Sequence, residues 1–570
     1  MSPNHHERIQ EAILTSSGDI LRSDTSGCGP ILAVIERELT AAFNREGVRV
    51  KRAFSAERWS GQGVAPSERI EEDVLTGIDS QANLVVIATG SRCAHLVVSA
   101  LRSHRGAILT VANWPGELPG ISELLNLNGS LARAGIPFST LWSRDFQDER
   151  FRSGLRAWIE QKEVIYNMSR VRDLNLGELP PAAIELGTHL AATFNERKVT
   201  LGIFDGSYRD VNDGRIDDEV LSPSGVYTQH LNLSSLVTRM RTVSNSDAFT
   251  VWQWLDERGL VFASGSDETY ELTSAQILTQ CKMYIAAVRI AHEFGWDVIS
   301  IQSGNGWKDL VAPGFIGGLL NSAERPPVYG ERSGQELFAG EPLPHLSHAD
   351  DCAGLDALVT IRSWRSLKLD PTNALYDLCW PEHCRREGFE DFVWALQIPV
   401  AAPANHLIDG YAGASSDRAP RWYSPLGGGT LNGIVKPGEI VWSRLFAERG
   451  IVHADIGTGR MLTLSPHETE RQWKNAATHW PLVSAIFHGI SVDTFIAGHC
   501  ATQVNIAYAA DALSAVRALA VKAATLHARG VVVHLCGEVT LDEGMQTTNM
   551  FPQHFAQPNQ GSGMGSSQTC

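Results

Sequence analysis

The feature that most constrains the fold is a change of hydrophobic pattern along the chain. In the first third, short apolar runs rich in β-branched residues alternate with helix-like stretches. Three such runs are Ala82–Gly90, Gly106–Asn113 and Gly135–Trp142. Strands separated by helices form parallel sheets covered on both faces, so this pattern predicts an α/β unit. Ligands usually bind at the loops that follow such strands.

A second α/β unit is predicted after Tyr166. Lys198–Gly214 begins as a strand-like run and enters a turn rich in Gly and Asp. Ser274–Gly295 has the pattern of a long amphipathic helix that ends at glycine. Trp296–Trp307 follows as a predicted strand and loop.

The pattern changes again after about Pro399. Short alternating runs separated by Gly and Pro-Gly turns predict hairpins of an antiparallel sheet or barrel. From about Gln546 the chain is low in aliphatic residues, which predicts a flexible tail or an arm lying on a neighbouring subunit. We therefore divide the chain into an N-terminal α/β domain (1–166), a second α/β domain (167–355), a C-terminal domain (356–545) and a tail (546–570).

Composition narrows the class of protein. The 570 residues are 43% hydrophobic and 20% charged, and 64 acidic against 48 basic residues give a net charge of −16. This acidic balance argues against non-specific binding to nucleic acid or to an anionic membrane. The sequence contains neither a run of about 18 apolar residues that could span a membrane nor an apolar signal-peptide core at its start. Nine scattered cysteines predict free thiols in a cytoplasmic protein.

The stretch His345–Leu358, HLSHADDCAGLDAL, places histidine and two adjacent aspartates ahead of a helix-like apolar run. Asp350 or Asp351 can cap that helix, because a carboxylate accepts hydrogen bonds from the first backbone N–H groups and favours the positive end of the helix dipole. In the alternative interpretation, a strand end delivers a carboxylate or an imidazole into a cleft. Both interpretations can hold for neighbouring residues.

Two further positions carry side chains suited to chemistry. Asp377 lies in a β-like run, where a charged residue is either at an exposed end or buried with a partner. His499 precedes an apolar strand. Two carboxylates and one imidazole from separate strand ends would suit a hard divalent cation such as Mn²⁺. Zinc at Cys379–Cys384 is disfavoured because no second ligand pair lies at a suitable distance.

The sequence carries none of the common nucleotide or serine hydrolase motifs. It has no GxGxxG after the first strand, no GxxxxGK[ST] and no GxSxG. NTPase and serine hydrolase functions are therefore not supported.

Five segments, in order over most of the chain, resemble the L-fucose isomerase family, which is related to the L-arabinose isomerases. Asn113–Asp148 and Thr200–Gly214 are similar to parts of the family's first and second domains. Ile301–Leu310 is similar to its Gln- and Gly-rich loop containing Trp. Gly433–Leu445 is similar to its C-terminal hairpin, and Gly498–Ala509 to its segment in which a histidine precedes a strand.

The resemblance implies two α/β domains with parallel sheets and a C-terminal domain that contains an antiparallel β-barrel. It also implies a site for Mn²⁺, or another divalent cation, built from a glutamate, an aspartate and a histidine. Matched by motif, the aspartate is Asp377 and the histidine is His499, with His488 as a rival for the histidine.

The glutamate is where this chain departs from the family. Its position falls on His348 or Ala349, and the acid that follows it in the family falls on Asp350 or Asp351. Replacing Glu by Asp350 shortens the reach by one methylene, and a misplacement near 1 Å costs on the order of 10²-fold in rate. His348 could instead bind the metal.

In the family's reaction, carboxylates move a proton between C1 and C2 of the sugar through an enediol, while the cation stabilises the negative oxygen. By resemblance, Asp350 and Asp377 would bind the metal and exchange protons, and His499 would be a third ligand. The residues expected to contact the substrate are Gln302, Trp307, Lys308 and His348.

The leading prediction is a divalent-metal-dependent aldose–ketose isomerase that acts on a sugar or sugar-like polyol. Two alternatives stay open: other enediol chemistry on the same fold, as in an epimerase or an aldol-type lyase, and a non-catalytic carbohydrate-binding protein. Enzymes of this family are oligomers, so we expect a homo-oligomer, a trimer or a hexamer.

Overall fold

The fold is described by a computed structural model. The residues that it describes are 8–16, 29–53, 78–88, 97–98, 101–113, 120–204, 214–301, 313–386, 389–421, 424–464, 467, 469–471, 480–499 and 501–539. The predicted tail, 546–570, lies outside these residues.

The first α/β unit contains a five-stranded sheet in the order β2-β1-β3-β4-β5, with every pairing parallel. Its central strands are buried along their whole length, which explains why they are continuous apolar runs and do not alternate with polar residues. The elements are β1 (Glu11–Ser16), α1 (Gly29–Arg45), β2 (Arg49–Arg52), β3 (Leu84–Ile87), β4 (Ile108–Asn113), α2 (Gly120–Arg133), β5 (Ser139–Ser143) and α3 (Glu149–Gln161).

The second α/β unit follows the short strand β6 (Val171–Asp173), which joins a different sheet. The sheet of the second α/β unit has four strands, all parallel, in the order β11-β10-β7-β8. The elements are α4 (Pro181–Glu196), β7 (Val199–Phe204), α5 (Asp218–Leu221), β8 (Val226–Leu231), α6 (Leu233–Thr242), α7 (Asn245–Glu257), β9 (Val261–Phe262), α8 (Ser274–Phe294), β10 (Val298–Ile301), α9 (Ile316–Asn321) and β11 (His345–Leu346).

The boundaries of α8 follow local chemistry. A capping box of Thr273 and Gln276 satisfies backbone N–H groups at its start, and Gly295 ends it in the left-handed conformation, with φ of 65°. The predicted long helix that ends at glycine is confirmed.

The last part of the chain forms a closed antiparallel barrel of six strands in the order β16-β19-β12-β13-β18-β17, closed by the pairing of β16 with β17. Strand β20 pairs parallel to β17, and β6 pairs antiparallel to β20. The elements are α10 (Asp351–Ser366), β12 (Asn373–Arg386), β13 (Phe389–Gln397), β14 (Ala414–Ser416), β15 (Asn432–Gly433), β16 (Gly438–Glu448), β17 (Ile451–Met461), β18 (Leu482–Phe487), α11 (Val492–Gly498), β19 (Gln503–Tyr508), α12 (Ala512–Ala528) and β20 (Val532–Cys536).

Aromatic side chains of the barrel strands and of α11 pack against one another. The ring of Trp442 lies 4.8 Å from that of Phe487 and 5.4 Å from that of Phe495, measured between centroids. Its cross-strand partner is Gly457, where a Cβ would come within 2.7 Å of the Trp442 ring. Glycine is therefore required opposite Trp442 for the two strands to pack around this indole.

The first α/β unit packs directly on the barrel. Ser122 of α2 donates a hydrogen bond to the Leu378 carbonyl at 2.5 Å, and Trp142 Nε1 donates to Asp493 Oδ1 at 2.8 Å. Arg150 lies over the Trp142 ring and pairs with the same aspartate at 2.7 Å.

Helices α10 and α12 cover the barrel and bury an ion pair between Asp356 and Lys522. Both side chains are at most 1% exposed, and their charged groups are in contact. Ser443 of β16 donates to both carboxylate oxygens of Asp356 at 2.9 Å, and Lys522 also donates to Thr360 at 2.6 Å. This network joins two helices to one barrel strand.

The mixed α/β fold class is confirmed, including the parallel sheets and the antiparallel barrel. None of the helices in the described ranges is both long enough and apolar enough to cross a membrane.

We predict that Lys522→Met lowers the free energy of unfolding by about 3–5 kcal/mol, because it leaves the Asp356 carboxylate buried without a counter-charge. The double variant Lys522→Met, Asp356→Leu should recover most of this loss, since an apolar pair needs no counter-charge. Urea unfolding followed by tryptophan fluorescence measures both. A double variant no more stable than the single one would contradict this account of the network.

Candidate functional site

A cleft opens where the second α/β unit meets the barrel, at the carboxyl ends of β10 and β11. It lies between α9, β11 and the barrel strands β12 and β19, and its space of about 480 Å³ includes open solvent. Ligands of parallel α/β sheets bind at this end of the strands. The polar side chains on its wall are those of Asn321, His345, Ser347 and Gln503.

His345 is fixed on the cleft wall by its neighbours. Asn321 accepts a hydrogen bond from the His345 backbone N–H at 2.7 Å and donates one to its carbonyl at 3.3 Å. The imidazole packs on Gly317 of α9, where a Cβ would lie 2.9 Å from Nδ1. Any larger residue at position 317 would therefore push the ring aside.

The His345 ring is neutral at physiological pH. Burial lowers its pKa from 6.5 to about 4, the Ile301 carbonyl opposes this shift, and His348 adds to it. Its Nε2 atom is buried and has no hydrogen-bond partner among the described residues. A buried polar atom without a partner costs about 1–3 kcal/mol, so a bound ligand that supplies one would gain affinity here.

Gln503 also has a buried polar atom without a described hydrogen-bond partner. Its Nε2 donates to Asp377 Oδ1 at 2.6 Å, which fixes the orientation of the amide because a carboxylate can only accept. Its Oε1 is then an acceptor, and no described residue donates to it. Asp377 pairs with the wall residue Gln503 in the barrel sheet and lies on the same strand face as the wall residue Leu375.

Asp350 caps helix α10 and is neutralised by an arginine. Its Oδ1 accepts a hydrogen bond from the Ala353 N–H at 2.7 Å, which confirms the helix-cap interpretation. Its Oδ2 lies 2.8 Å from Arg444 Nη2 and 3.3 Å from His348 Nε2. Burial alone would raise the pKa of Asp350, but Arg444 and His348 outweigh it and hold this pKa well below its usual range.

The carboxylate of Asp350 is also tightly enclosed. A Cβ at Gly214 would lie only 2.2 Å from Asp350 Oδ1. The neighbouring Asp351 is buried as well, and Arg215 Nε lies 3.0 Å from its Oδ2. Burial raises the pKa of Asp351 to about 6, although Arg215 opposes the shift. Both acids of the predicted loop are therefore paired with arginines.

His499 lies at the C-terminal end of α11, where its Nδ1 is 2.9 Å from Asp455 Oδ2. A carboxylate at Nδ1 favours the tautomer in which Nε2 is the acceptor. This Nε2 is buried and has no partner in the described part of the chain. The ring packs on Phe495, with centroids 4.5 Å apart.

Each of the three predicted metal ligands is paired with a different residue in the structure. No group of three His, Cys, Asp or Glu side chains that could hold a metal ion is found among the described residues. Asp350 is bound to Arg444, Asp377 to Gln503 and His499 to Asp455. Asp350, Asp377 and His499 do not form such a group with one another. The predicted substrate residues Gln302, Trp307 and Lys308 lie outside the described residues.

Sequence reasoning missed the polar residues that line the cleft. His345 and Ser347 could have been selected because they end a strand, where parallel sheets present ligand-binding groups. Gln503 could have been selected as the cross-strand partner of Asp377 only once the strand register was known. For Asn321, no signal was available in the sequence, since its role is to clamp a distant backbone.

No protein-family model matches the chain, and no curated protein matches it in sequence.

We predict that Asp350→Ala lowers the free energy of unfolding by about 3–5 kcal/mol, because it leaves the Arg444 guanidinium buried without its carboxylate. Asp511→Ala is the matched control, since Asp511 caps α12 through the Ser514 N–H and is exposed. Loss of that cap alone should cost about 1 kcal/mol. Equal losses in the two variants, measured by urea unfolding, would show that the ion pair contributes nothing.

Proposed function

We propose that this chain binds a sugar-like polyol in the cleft and converts it by aldose–ketose isomerisation. The observation that carries the proposal is that two residues of the cleft wall, His345 and Gln503, each have a buried polar atom without a described partner, Nε2 and Oε1 respectively. A hydroxyl group can donate to either atom. A ligand with several hydroxyl groups would therefore satisfy them together.

The cleft favours an uncharged substrate. None of its described wall residues is Asp, Glu, Lys or Arg, and His345 is neutral because burial lowers its pKa. An anionic group such as a phosphate would find no counter-charge on this wall.

Asp377 is the proposed base. In an aldose-to-ketose step, its carboxylate takes the proton from C2, and the same carboxylate returns a proton to C1. The hydroxyl proton moves from O2 to O1, so the atoms balance and no oxidant is needed. Gln503 Nε2 holds the carboxylate in place at 2.6 Å, and proton transfer requires such positioning within hydrogen-bond reach.

The architecture is consistent with an L-fucose isomerase-like fold. Two parallel α/β units and a closed antiparallel barrel are the layout that the resemblance implies. The Mn²⁺ requirement stays a prediction of the resemblance, and the mechanism proposed here has no step that passes through a cation. Cytoplasmic location and a homo-oligomeric state are likewise predictions, and light scattering at micromolar concentration tests the second.

A non-catalytic carbohydrate-binding protein is the second candidate. It is favoured by one specific observation: Asp350, the acid nearest to the family's glutamate position, is committed to a helix cap and to Arg444. Such a protein would bind the polyol in the same cleft without moving protons.

We predict that the protein exchanges the C2 hydrogen of one or more unphosphorylated aldoses with solvent deuterium, because the enediol returns a solvent-derived proton. NMR in D₂O measures the exchange, with and without added Mn²⁺. Asp377→Asn should reduce the exchange rate by about 10²-fold or more, while Asp511→Ala should leave it unchanged. Binding of the aldose without exchange, under both metal conditions, would select the non-catalytic alternative.

We also predict that polyol affinity stays constant from about pH 7.5 to about pH 5 and falls as the pH approaches 4. The reason is that the pKa of His345 is lowered to about 4, so the unprotonated Nε2 that accepts from the ligand persists to acidic pH. Isothermal titration calorimetry measures the affinity, and His345→Gln should remove the fall. Half-loss of affinity near pH 6.5, the ordinary pKa of histidine, would contradict a buried neutral imidazole.

A further inference from the structure

Three side chains on three neighbouring strands form a continuous hydrogen-bonded row on the barrel sheet, away from the cleft. Asp173 lies on β6, His534 on β20 and His453 on β17. Asp173 Oδ1 is 2.8 Å from His534 Nδ1, and His534 Nε2 is 3.1 Å from His453 Nδ1. Asp173 and His534 are directly paired across the β6–β20 ladder.

The two imidazoles meet edge to edge. Their planes are within 8° of parallel, and their centroids are 5.3 Å apart. The facing nitrogens are 3.1 Å apart. The rest of the centroid separation is close to the sum of the two distances from a ring centre to its nitrogen, so the two nitrogens lie nearly on the line that joins the ring centres. Each nitrogen therefore points at the other, with room for one proton between them. A metal ion would need about 2.0–2.1 Å to each nitrogen, which this in-line spacing does not allow.

The proton positions follow from the carboxylate. Asp173 only accepts, so His534 carries its proton on Nδ1, and its Nε2 is an acceptor. His453 must then donate from Nδ1, and in the neutral ring its Nε2 bears no proton. One added proton can enter at that Nε2 and leave the row intact. A second added proton would place N–H against N–H at 3.1 Å and break the contact between the rings.

The surroundings oppose double protonation. Burial is the largest cause that lowers the pKa of His453, and the neighbouring imidazole of His534 lowers it further. The carboxylates of Glu448, Asp455 and Asp173 act in the opposite direction. Asp455 is itself bound to His499.

Phe446 of β16 covers the pair. Its ring lies 5.2 Å from that of His453 and 6.3 Å from that of His534, between centroids. A group with a lowered folded-state pKa contributes stability that is present above its unfolded pKa and lost as the pH falls through the folded value. The row is therefore weakened by acid.

We propose that Asp173, His534 and His453 form a pH-operated clasp that holds β6 on the barrel sheet. The clasp is closed when both imidazoles are neutral and when only one of them is charged, and it opens when both are charged. β6 is the terminal strand of its sheet and comes directly before the second α/β unit in the chain. Release would therefore loosen the connection between the first α/β unit and the barrel. This inference does not depend on the proposed isomerase function.

Hydrogen–deuterium exchange with mass spectrometry on the full chain tests the clasp, at about pH 7.5 and about pH 5, with rates corrected for intrinsic exchange. Peptides covering residues 166–176 and 531–536 report on β6 and β20, and peptides covering 482–487 report on β18 as an internal reference. We expect corrected exchange of the β6 peptide to rise about threefold or more at the lower pH, while the β18 peptide stays unchanged.

His453→Gln is the decisive variant. Its amide can donate to neutral His534 or, after rotation, accept from charged His534, so the row persists at both pH values. The acid-induced rise in β6 exchange should disappear in this variant. Asp173→Asn should raise β6 exchange at both pH values. Equal corrected exchange at the two pH values in the wild type, or an undiminished rise in His453→Gln, would overturn the clasp.

Discussion

The ion pair between Arg444 and Asp350 is the interaction on which the arrangement of the second α/β unit and the barrel depends. Both side chains are 1% exposed or less, and the charged atoms are 2.8 Å apart. Arg444 belongs to barrel strand β16, whereas Asp350 begins α10, directly after β11. Since a buried charge without a partner is strongly destabilising, each group holds the other's element in place. The cleft lies where these elements meet, so its shape is tied to this pair.

A second buried ion pair joins other elements to the same barrel strand. Lys522 and Asp356 join α12 to α10, and Ser443 of β16 completes the pair. Arg444 follows Ser443 in the chain, and neighbouring residues of a strand point to opposite faces. One barrel strand thus anchors two buried charge pairs, one on each face. Specificity of docking, more than net stability, is what such pairs can supply, because an apolar replacement of similar volume is often as stable.

Several elements could be predicted from the sequence because their cause is local. Ser274–Phe294 is apolar at helical spacing and has a capping box and a terminal glycine, and all three features act within a few residues. The strands β3 and β5 and the hairpin of β16 and β17 follow from apolar runs and turn residues in the same way. The cap at Asp350 was one of two interpretations, since a carboxylate before a helix can serve either purpose.

The candidate site could be predicted only in part. Asp377 was identified by its position in a strand, but its partner Gln503 lies 126 residues away in the chain and is set by strand register. The metal interpretation assumed that Asp350, Asp377 and His499 converge. In the structure each of these side chains is bound to a different residue, and the choice among partners depends on distances that no local pattern encodes.

By itself, the sequence determined the α/β class, the change to antiparallel hairpins, the helix ends and the absence of common nucleotide and hydrolase motifs. These depend on periodicity, turn chemistry and capping, which act over a few residues. Only the tertiary structure decided that Asp350 faces Arg444, that His345 and Gln503 share one cleft, and that Asp173, His534 and His453 form one row. Burial and hydrogen bonding between distant segments exist only after the chain has packed, and they set which polar atoms of the described residues find a partner.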